Sequence, residues 1–435
     1  MTAATRPVKS RMEARGSALP RNRHLLDVPQ SLLTFSAEQI GTFFTEAWSA
    51  FRGASRFREV PPLKPSLSLV GEAMLDRTFT LATSLMLGVP LPEEVRTQNE
   101  EALEMRDFLR SQDWVDDPAS YHRVPPPISD FELDPQSSWG GLRRWRYEEL
   151  RFDSEYEPHV GSPGRERWLA HDKNGTAVAY VFEHEGRPRP WVIGVHGFGM
   201  GTPLVSLMGF PLRMMHEVLG LNVVLPVLPL HGERGNHRFS GGEVMGPDFV
   251  RMVHLFSQAT WDLRRVISWV RDRGGERIGL YGISMGGYVS SLVSALEDDL
   301  ELVAVSIPMV DFATSAQDNM PWIMQRYDEA FDLDWEMIRE ITHVVSPLAF
   351  SSKVPKNRRF ILAGIADRVV RPPQPRALWR HWGEPEIEWF SGGHVLGVFN
   401  GALEPFVEKA LRESDMVYRK PKSGRRRKRK TSQRK

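Results

Sequence analysis

Between about Trp145 and Ser414 two patterns of apolar positions alternate along the chain. The first is the short, almost uninterrupted apolar run: Trp191–Val195, Leu221–Leu228, Arg277–Ile283, Leu302–Ile307, Phe360–Gly364 and Ile387–Phe390. Runs of this length with no polar alternation read as strands covered on both faces. The second places apolar residues every three or four positions, over Leu204–Leu219, Phe249–Arg273, Val289–Glu297, Gln374–Trp382 and Leu403–Leu411. That spacing predicts helices. The alternation predicts an α/β class, a doubly wound, mainly parallel sheet, with function at the carboxyl ends of its strands. Upstream, Trp145–Phe152, Arg165–Ala170 and Ala177–Glu183, the last following a turn at Asn174-Gly175, read as further strands.

The N-terminal third differs. Ala37–Phe51 carries Ile40, Phe43, Phe44, Trp48 and Phe51 at helical spacing, and Leu69–Leu87 and Pro92–Ser111 also read helical. The domain plan is therefore a basic, unfolded segment over 1–35, a helical extension with its linker over 36–138, an α/β domain over 139–416 and a basic tail over 417–435. The Pro/Asp/Ser-rich stretch Pro125–Ser138 supplies the linker. The aromatic and Met residues of the extension are expected to pack its core. Residues 311–350 interrupt the strand–helix alternation, and Tyr327, Phe331, Trp335 and Ile338 there suggest a small helical cap insertion.

Composition narrows the chemistry. The 435 residues include no cysteine, which excludes disulfides, thiol nucleophiles and Cys-ligated metals. The formal charge of +1 conceals an asymmetry: 11 of the 56 Lys/Arg residues and none of the 55 Asp/Glu lie in Arg419–Lys435, leaving an acidic body. Domain-wide nucleic-acid binding is not expected. The tail, with Arg425–Lys430 continuously basic, is expected to be a solubilising appendage or a weak, salt-sensitive contact to an anionic surface such as RNA or acidic lipid. The N-terminus lacks the apolar core of a secretory signal, and the apolar run Phe79–Pro92 is too short to span a bilayer. The expectation is a cytoplasmic protein with no transmembrane segment; oligomeric state cannot be read.

Four strand ends carry residues that a core does not require. Gly282-Ile283-Ser284-Met285-Gly286 follows one apolar run and opens a helix, the G-x-S-x-G pattern of a strained turn that presents a serine. His196-Gly197-Phe198-Gly199 follows Trp191–Val195, Asp367 follows Phe360–Gly364, and Gly392-Gly393-His394 follows Ile387–Phe390. Each has an ordinary reading: serine caps helices, aspartate forms turns, and a loop histidine is usually solvated. Their order, Ser284 then Asp367 then His394, all past strand ends, is what carries the argument.

On these motifs the stretch from Trp145 to Ser414 resembles the α/β-hydrolase superfamily, on the side of its esterase- and peptidase-like members. Leu228-Pro229-Leu230-His231-Gly232-Glu233-Arg234-Gly235 is similar to a loop after a core strand in these enzymes, and His231 is expected to be scaffolding. The resemblance implies Ser284 as nucleophile, His394 as base and Asp367 as the acid that orients it, with Asp311 as the rival acid. It implies an oxyanion hole from the N–H groups of Phe198 and Met285, and no cofactor or metal. His196, Gly197, Gly199 and Trp322 are the expected substrate contacts, and the aromatic and Met residues of the insertion suggest an apolar acyl group. The leading expectation is hydrolysis of a small carboxylic ester or thioester. Peptidase, amidase or acyltransferase activity on the same residues, and a non-catalytic binding protein keeping the fold, stand as alternatives.

Overall fold

The computed structural model describes residues 60–61, 66–87, 92–244, 246–319, 333–398 and 401–418. The basic N-terminus, the helix expected over Ala37–Phe51, most of the basic tail and Trp322 lie outside the described residues.

Nine strands form one sheet: β1 (Glu132–Gly140), β2 (Arg143–Asp153), β3 (Thr176–Phe182), β4 (Trp191–Val195), β5 (Asn222–Val227), β6 (Ile278–Ile283), β7 (Leu300–Ser306), β8 (Arg359–Gly364) and β9 (Glu386–Phe390). Their spatial order is β1-β2-β3-β5-β4-β6-β7-β8-β9. β1 to β3 join antiparallel, β3 lies antiparallel to β5, and every pairing from β5 to β9 is parallel.

The helices are α1 (Leu67–Leu87), α2 (Pro92–Ser111), α3 (Arg165–Leu169), α4 (Pro203–Gly209), α5 (Phe249–Asp272), α6 (Met285–Leu296), α7 (Phe312–Asn319), α8 (Trp335–His343), α9 (Pro373–His381) and α10 (Leu403–Glu413). The apolar runs are explained by what covers them. Ile193, Val195, Leu280, Val303, Val305 and Ile361 face one core, completed by α5, α6 and α8. The alternate residues Val192, Tyr281, Ile283, Leu302, Phe360 and Leu362 face a second core, completed by α4 and α10. Strand order, crossover pattern and two helix layers make this an α/β-hydrolase fold.

Ala102, Met105 and Leu109 of α2 belong to the first core, and Arg110 pairs with Glu340 of α8 through two hydrogen bonds of 2.5 and 2.7 Å. The insertion is helical at both described ends. Its helix α8 sinks Met337, Ile338 and Ile341 into the same core, while Phe312 of α7 meets Phe249 and Phe256 edge-on. No helix among the described residues is long and apolar enough to cross a membrane.

Three local readings are corrected. Arg165–Ala170 is the short helix α3 rather than a strand; β3 already pairs with β2 and β5 and leaves no open edge for it. Trp168 instead turns inward, and its indole N–H donates to Gln258 at 2.8 Å. The presumed linker over 125–138 contains the start of β1, a polar strand that escapes notice because an edge strand needs no apolar face and tolerates Pro135. The helix expected over Leu204–Leu219 is divided into α4 and a π-type turn over Arg213–Val218, interrupted at Phe210-Pro211.

Candidate functional site

Strand register gathers the motif loops. Val195 at the end of β4 lies beside Gly282 of β6, and Gly364 at the end of β8 lies beside Phe390 of β9. The loops that leave these strands therefore open at one edge of the sheet.

Between β6 and α6 a single residue, Ser284, reverses the chain. Its backbone has φ 54° and ψ −115°, a region a side chain enters only when the surroundings compel it. Its N–H donates to Ser306 O at 2.9 Å, and its carbonyl accepts from Gly287 N at 2.9 Å and Met309 N at 3.3 Å. Glycine flanks the serine because nothing else fits. A Cβ on Gly282 would stand 2.3 Å from Gly286 O, and one on Gly286 would stand 2.0 Å from Val195 O. Helix α6 consequently starts at Met285, four residues before the apolar periodicity at Val289 suggested.

The loops after β8 and β9 are tied by main-chain bonds, Ile365 N to Phe390 O at 3.0 Å and Ala366 N to Gly392 O at 3.1 Å. This brings the two ionisable groups together. Asp367 accepts from Val369 N (2.9 Å) and Val370 N (2.7 Å) through Oδ1, and its Oδ2 lies 2.7 Å from His394 Nδ1. His394 Nε2 lies 2.9 Å from Ser284 Oγ. With Nδ1–H donating to the carboxylate, Nε2 is left as the acceptor for the serine hydroxyl. Burial raises the Asp367 carboxyl above its ordinary value, against the opposing pull of His394. Burial acts in the other sense on His394, but the charge and hydrogen bond of Asp367, joined by the charge of Asp76, carry the imidazole above the ordinary histidine value. Asp311, the rival acid, is committed elsewhere: it caps α7 by accepting from Thr314 N at 3.0 Å and Thr314 Oγ1 at 2.6 Å.

The turn after β4 lies against the serine. A Cβ at Gly197 would come within 3.2 Å of Ser284 Cβ, and one at Gly199 within 3.2 Å of the Phe239 ring. The Phe198 N–H belongs to this turn, and the Met285 N–H opens the 12-residue helix α6, where first-turn donors have no intrahelical acceptor. The Phe198 ring meets Phe79, His231 and Phe239 at 6.5, 6.2 and 5.5 Å between centroids. His196 was expected at the substrate, but its ring points into the fold. Nδ1 pairs with Gly197 O at 2.8 Å, Nε2 accepts from Leu228 N at 3.0 Å, and burial lowers it to about 3. No ring nitrogen is left for a ligand. His231 is likewise buried, with Nδ1 on Pro229 O at 2.9 Å.

Two Mycobacterium tuberculosis proteins, uncharacterized protein MT2702 of strain CDC 1551 / Oshkosh and uncharacterized protein Rv2627c of strain ATCC 25618 / H37Rv, are each 33% identical to this chain over 379 residues, covering 87% of it and 90% of their own length. The chain belongs to their family. No family model matches it. Among solved structures, acetyl xylan esterase 1 from Thermoanaerobacterium sp. JW/SL YS485 aligns at TM-score 0.49 and 17% identity, over 69% of this chain and 93% of that one. An acetyl xylan esterase from Paenibacillus sp. R4 aligns at 0.48 and 15%, over 72% and 95%.

In this member of the Rv2627c family the helical extension also reaches the site, through Asp76 and Glu72, residues that the sequence alone does not single out. Asp76 of α1, fully buried, accepts from Arg368 N (3.0 Å), His394 N (2.7 Å) and Val395 N (2.9 Å). Glu72, one turn earlier, accepts from Gly393 N at 2.9 Å. A signal was present: Asp76 falls in helical register with the buried Leu69, Ala73 and Thr83, a charge on the apolar stripe.

Proposed function

We propose that the protein is a serine hydrolase that cleaves a carboxylic ester or thioester through Ser284, His394 and Asp367. The observation that carries the reading is the unbroken chain from Ser284 Oγ through His394 to Asp367, 2.9 and 2.7 Å, built on a strained serine between strand and helix.

His394 Nε2 takes the hydroxyl proton as Ser284 Oγ bonds to the acyl carbon, and the imidazolium formed is held by Asp367. The carbonyl oxygen, now an anion, faces the N–H groups of Phe198 and Met285, aided by the positive end of α6. Collapse breaks the bond to the leaving oxygen or sulfur, which takes the proton from His394. Water then adds to the acyl-enzyme with His394 again as base, releasing the acid and restoring Ser284. An ester or thioester substrate, rather than an amide, is favoured because no acidic cluster in the sequence marks itself as a site for an amine.

The test is labelling by a fluorophosphonate probe together with turnover of short p-nitrophenyl esters. Wild type should label and turn over, and Ser284→Ala should do neither. Equal labelling of Ser284→Ala would remove Ser284 as the nucleophile. A wild type that neither labels nor turns over would favour a binding protein that keeps the fold.

A further inference from the structure

Three residues of α1 lie one helical turn apart, at spacings of four and three, so they share one face. Each touches a different part of the site. Glu72 holds the main chain of the histidine loop at Gly393. Asp76 holds that loop at His394 and Val395 and the acid loop at Arg368. Phe79 lies edge-on to Phe198, 6.5 Å between ring centres at 75°. The same helix therefore braces the loops that carry the base, the acid and the turn that would hold the oxyanion.

The Asp76 contact is built to close tolerance. The carboxylate is fully buried and spends its two oxygens on three backbone donors. On the other side, Gly393 has no side chain to spare: a Cβ there would lie 2.8 Å from Asp76 Oδ2. Burying a carboxylate is costly, and an apolar residue at this point of the stripe would hold the helix down at less expense in desolvation. What an apolar residue would not supply is three directed acceptors and a negative charge beside His394.

The geometry points to Asp76 as a positioning residue for His394: a second carboxylate, carried by the N-terminal helical extension, that fixes the backbone of the catalytic histidine and adds its charge to that of Asp367. This rests on the serine hydrolase reading of Ser284, His394 and Asp367. It gives the extension a task in the reaction, since α1 holds the main chain of the histidine loop at Gly393, His394 and Val395.

Ionisable and charged groups face His394 from every packed segment. Asp367 meets Nδ1, Asp76 meets the main chain from α1, and Glu72 lies one residue away through Gly393. The cations on the same segments are Arg77 on α1 and, on the acid loop, Arg368 and Arg371, the last paired with Asp318. A negative charge at 76 favours the imidazolium, and the charge of Asp76 is among the causes that raise His394. Removing it moves the titration of His394 to lower pH.

The experiment compares full-length wild type, Asp76→Asn and Asp76→Glu with p-nitrophenyl acetate, measuring kcat, KM and the pH dependence of kcat/KM. Wild type should lose kcat/KM on the acid side of a limb above the ordinary histidine value. Asp76→Asn keeps the size but loses the charge and one acceptor. It should lower kcat by roughly ten- to a hundredfold, the scale of a small misplacement of a reacting group, leave KM near wild type, and shift the acid limb to lower pH. Asp76→Glu retains the charge but displaces it, so it should lose kcat while keeping the limb near the wild-type pH. A merely structural Asp76 would change melting temperature and yield without moving the limb. Wild-type kcat and an unmoved acid limb in folded Asp76→Asn would overturn the proposal while leaving Ser284 in place. Should Asp76→Asn not fold, a wild-type kcat in Asp76→Glu overturns it equally. A wild type without turnover and without probe labelling would bring down the serine hydrolase reading itself.

Discussion

Asp367 divides its two oxygens between two tasks, Oδ1 holding Val369 N and Val370 N and Oδ2 holding His394. An amide in its place keeps the shape but not the assignment. Asp367→Asn can present its oxygen to the two backbone donors only by turning its NH2 toward His394 Nδ1. The imidazole must then carry its proton on Nε2, facing Ser284, where it can no longer accept. We expect kcat on p-nitrophenyl esters to fall by roughly 10⁴-fold, the scale of a wrong histidine tautomer in this kind of assembly. The melting temperature should change little, because a buried amide is less costly to desolvate than a buried carboxylate. A loss of tenfold or less would take Asp367 out of the orienting role. His196 makes the complementary point: a histidine at a strand end, next to the expected oxyanion turn, has both nitrogens occupied by the main chain. Residue type and position in a motif did not distinguish the two histidines, whereas the partners of their ring nitrogens do.

The central strands were legible to within one or two residues, because a strand covered on both faces must be apolar throughout, and turns of glycine and polar residues mark its ends. What was lost is equally physical. β1 is an edge strand with half-exposed, polar residues, and α3 is too short for a period to show. The apolar spacing places the start of α6 too late, at Val289, because Gly286 and Gly287 contribute no apolar side chain to the period. Their smallness serves the approach of β4 and β7 instead: Cβ atoms there would strike Val195 O and Pro308. The ties between elements were not legible at all. Arg234, in the loop after β5, is buried and donates to Asp262 Oδ2 on α5 at 2.7 Å, to Val227 O at 2.8 Å and to Asn174 O at 2.9 Å. Asp262 also accepts from Ser154 Oγ at 2.5 Å. This pair fastens the loop after β5 and the end of β2 to α5. Asp262→Ala would strand a buried guanidinium, and we expect a loss of about 3–5 kcal/mol in urea unfolding. A loss under about 1 kcal/mol would mean that water or a rearranged loop satisfies Arg234.

At the scale of the whole molecule, pH acts through buried histidines other than His394. His196, His231 and His254 are essentially inaccessible, and burial lowers them to about 3, about 4 and about 4; burial also lowers His122 and His216, each to about 4. In the folded protein these rings stay neutral where the unfolded chain takes up protons, near pH 6.5. The unfolded state therefore binds more protons between about pH 6.5 and 4, and the stability present above that window is lost as pH falls through it. His394 works in the opposite sense: its raised value adds stability at low pH that disappears as pH rises through its folded titration. Asp262 and Asp367, raised by burial, act in the same sense as His394. With His159 and His343, which burial also lowers, seven histidines stand against the raised His394, Asp262 and Asp367 and set the sign between pH 6.5 and 5. Melting temperature should fall steadily from pH 7 to pH 5, and His254→Gln gives the discriminating measurement. His254 makes one bond, from Nε2 to Pro163 O at 2.8 Å, and its Nδ1 has no partner. Glutamine can supply the same donor without titrating. The variant should lower stability at pH 7 by no more than the strain of refitting that bond. Below pH 6.5 its stability should fall less steeply than wild type, by up to about 1.4 kcal/mol per pH unit, the contribution of one proton. Parallel slopes for the two proteins would mean that His254 is reached by water and protonates in the folded state.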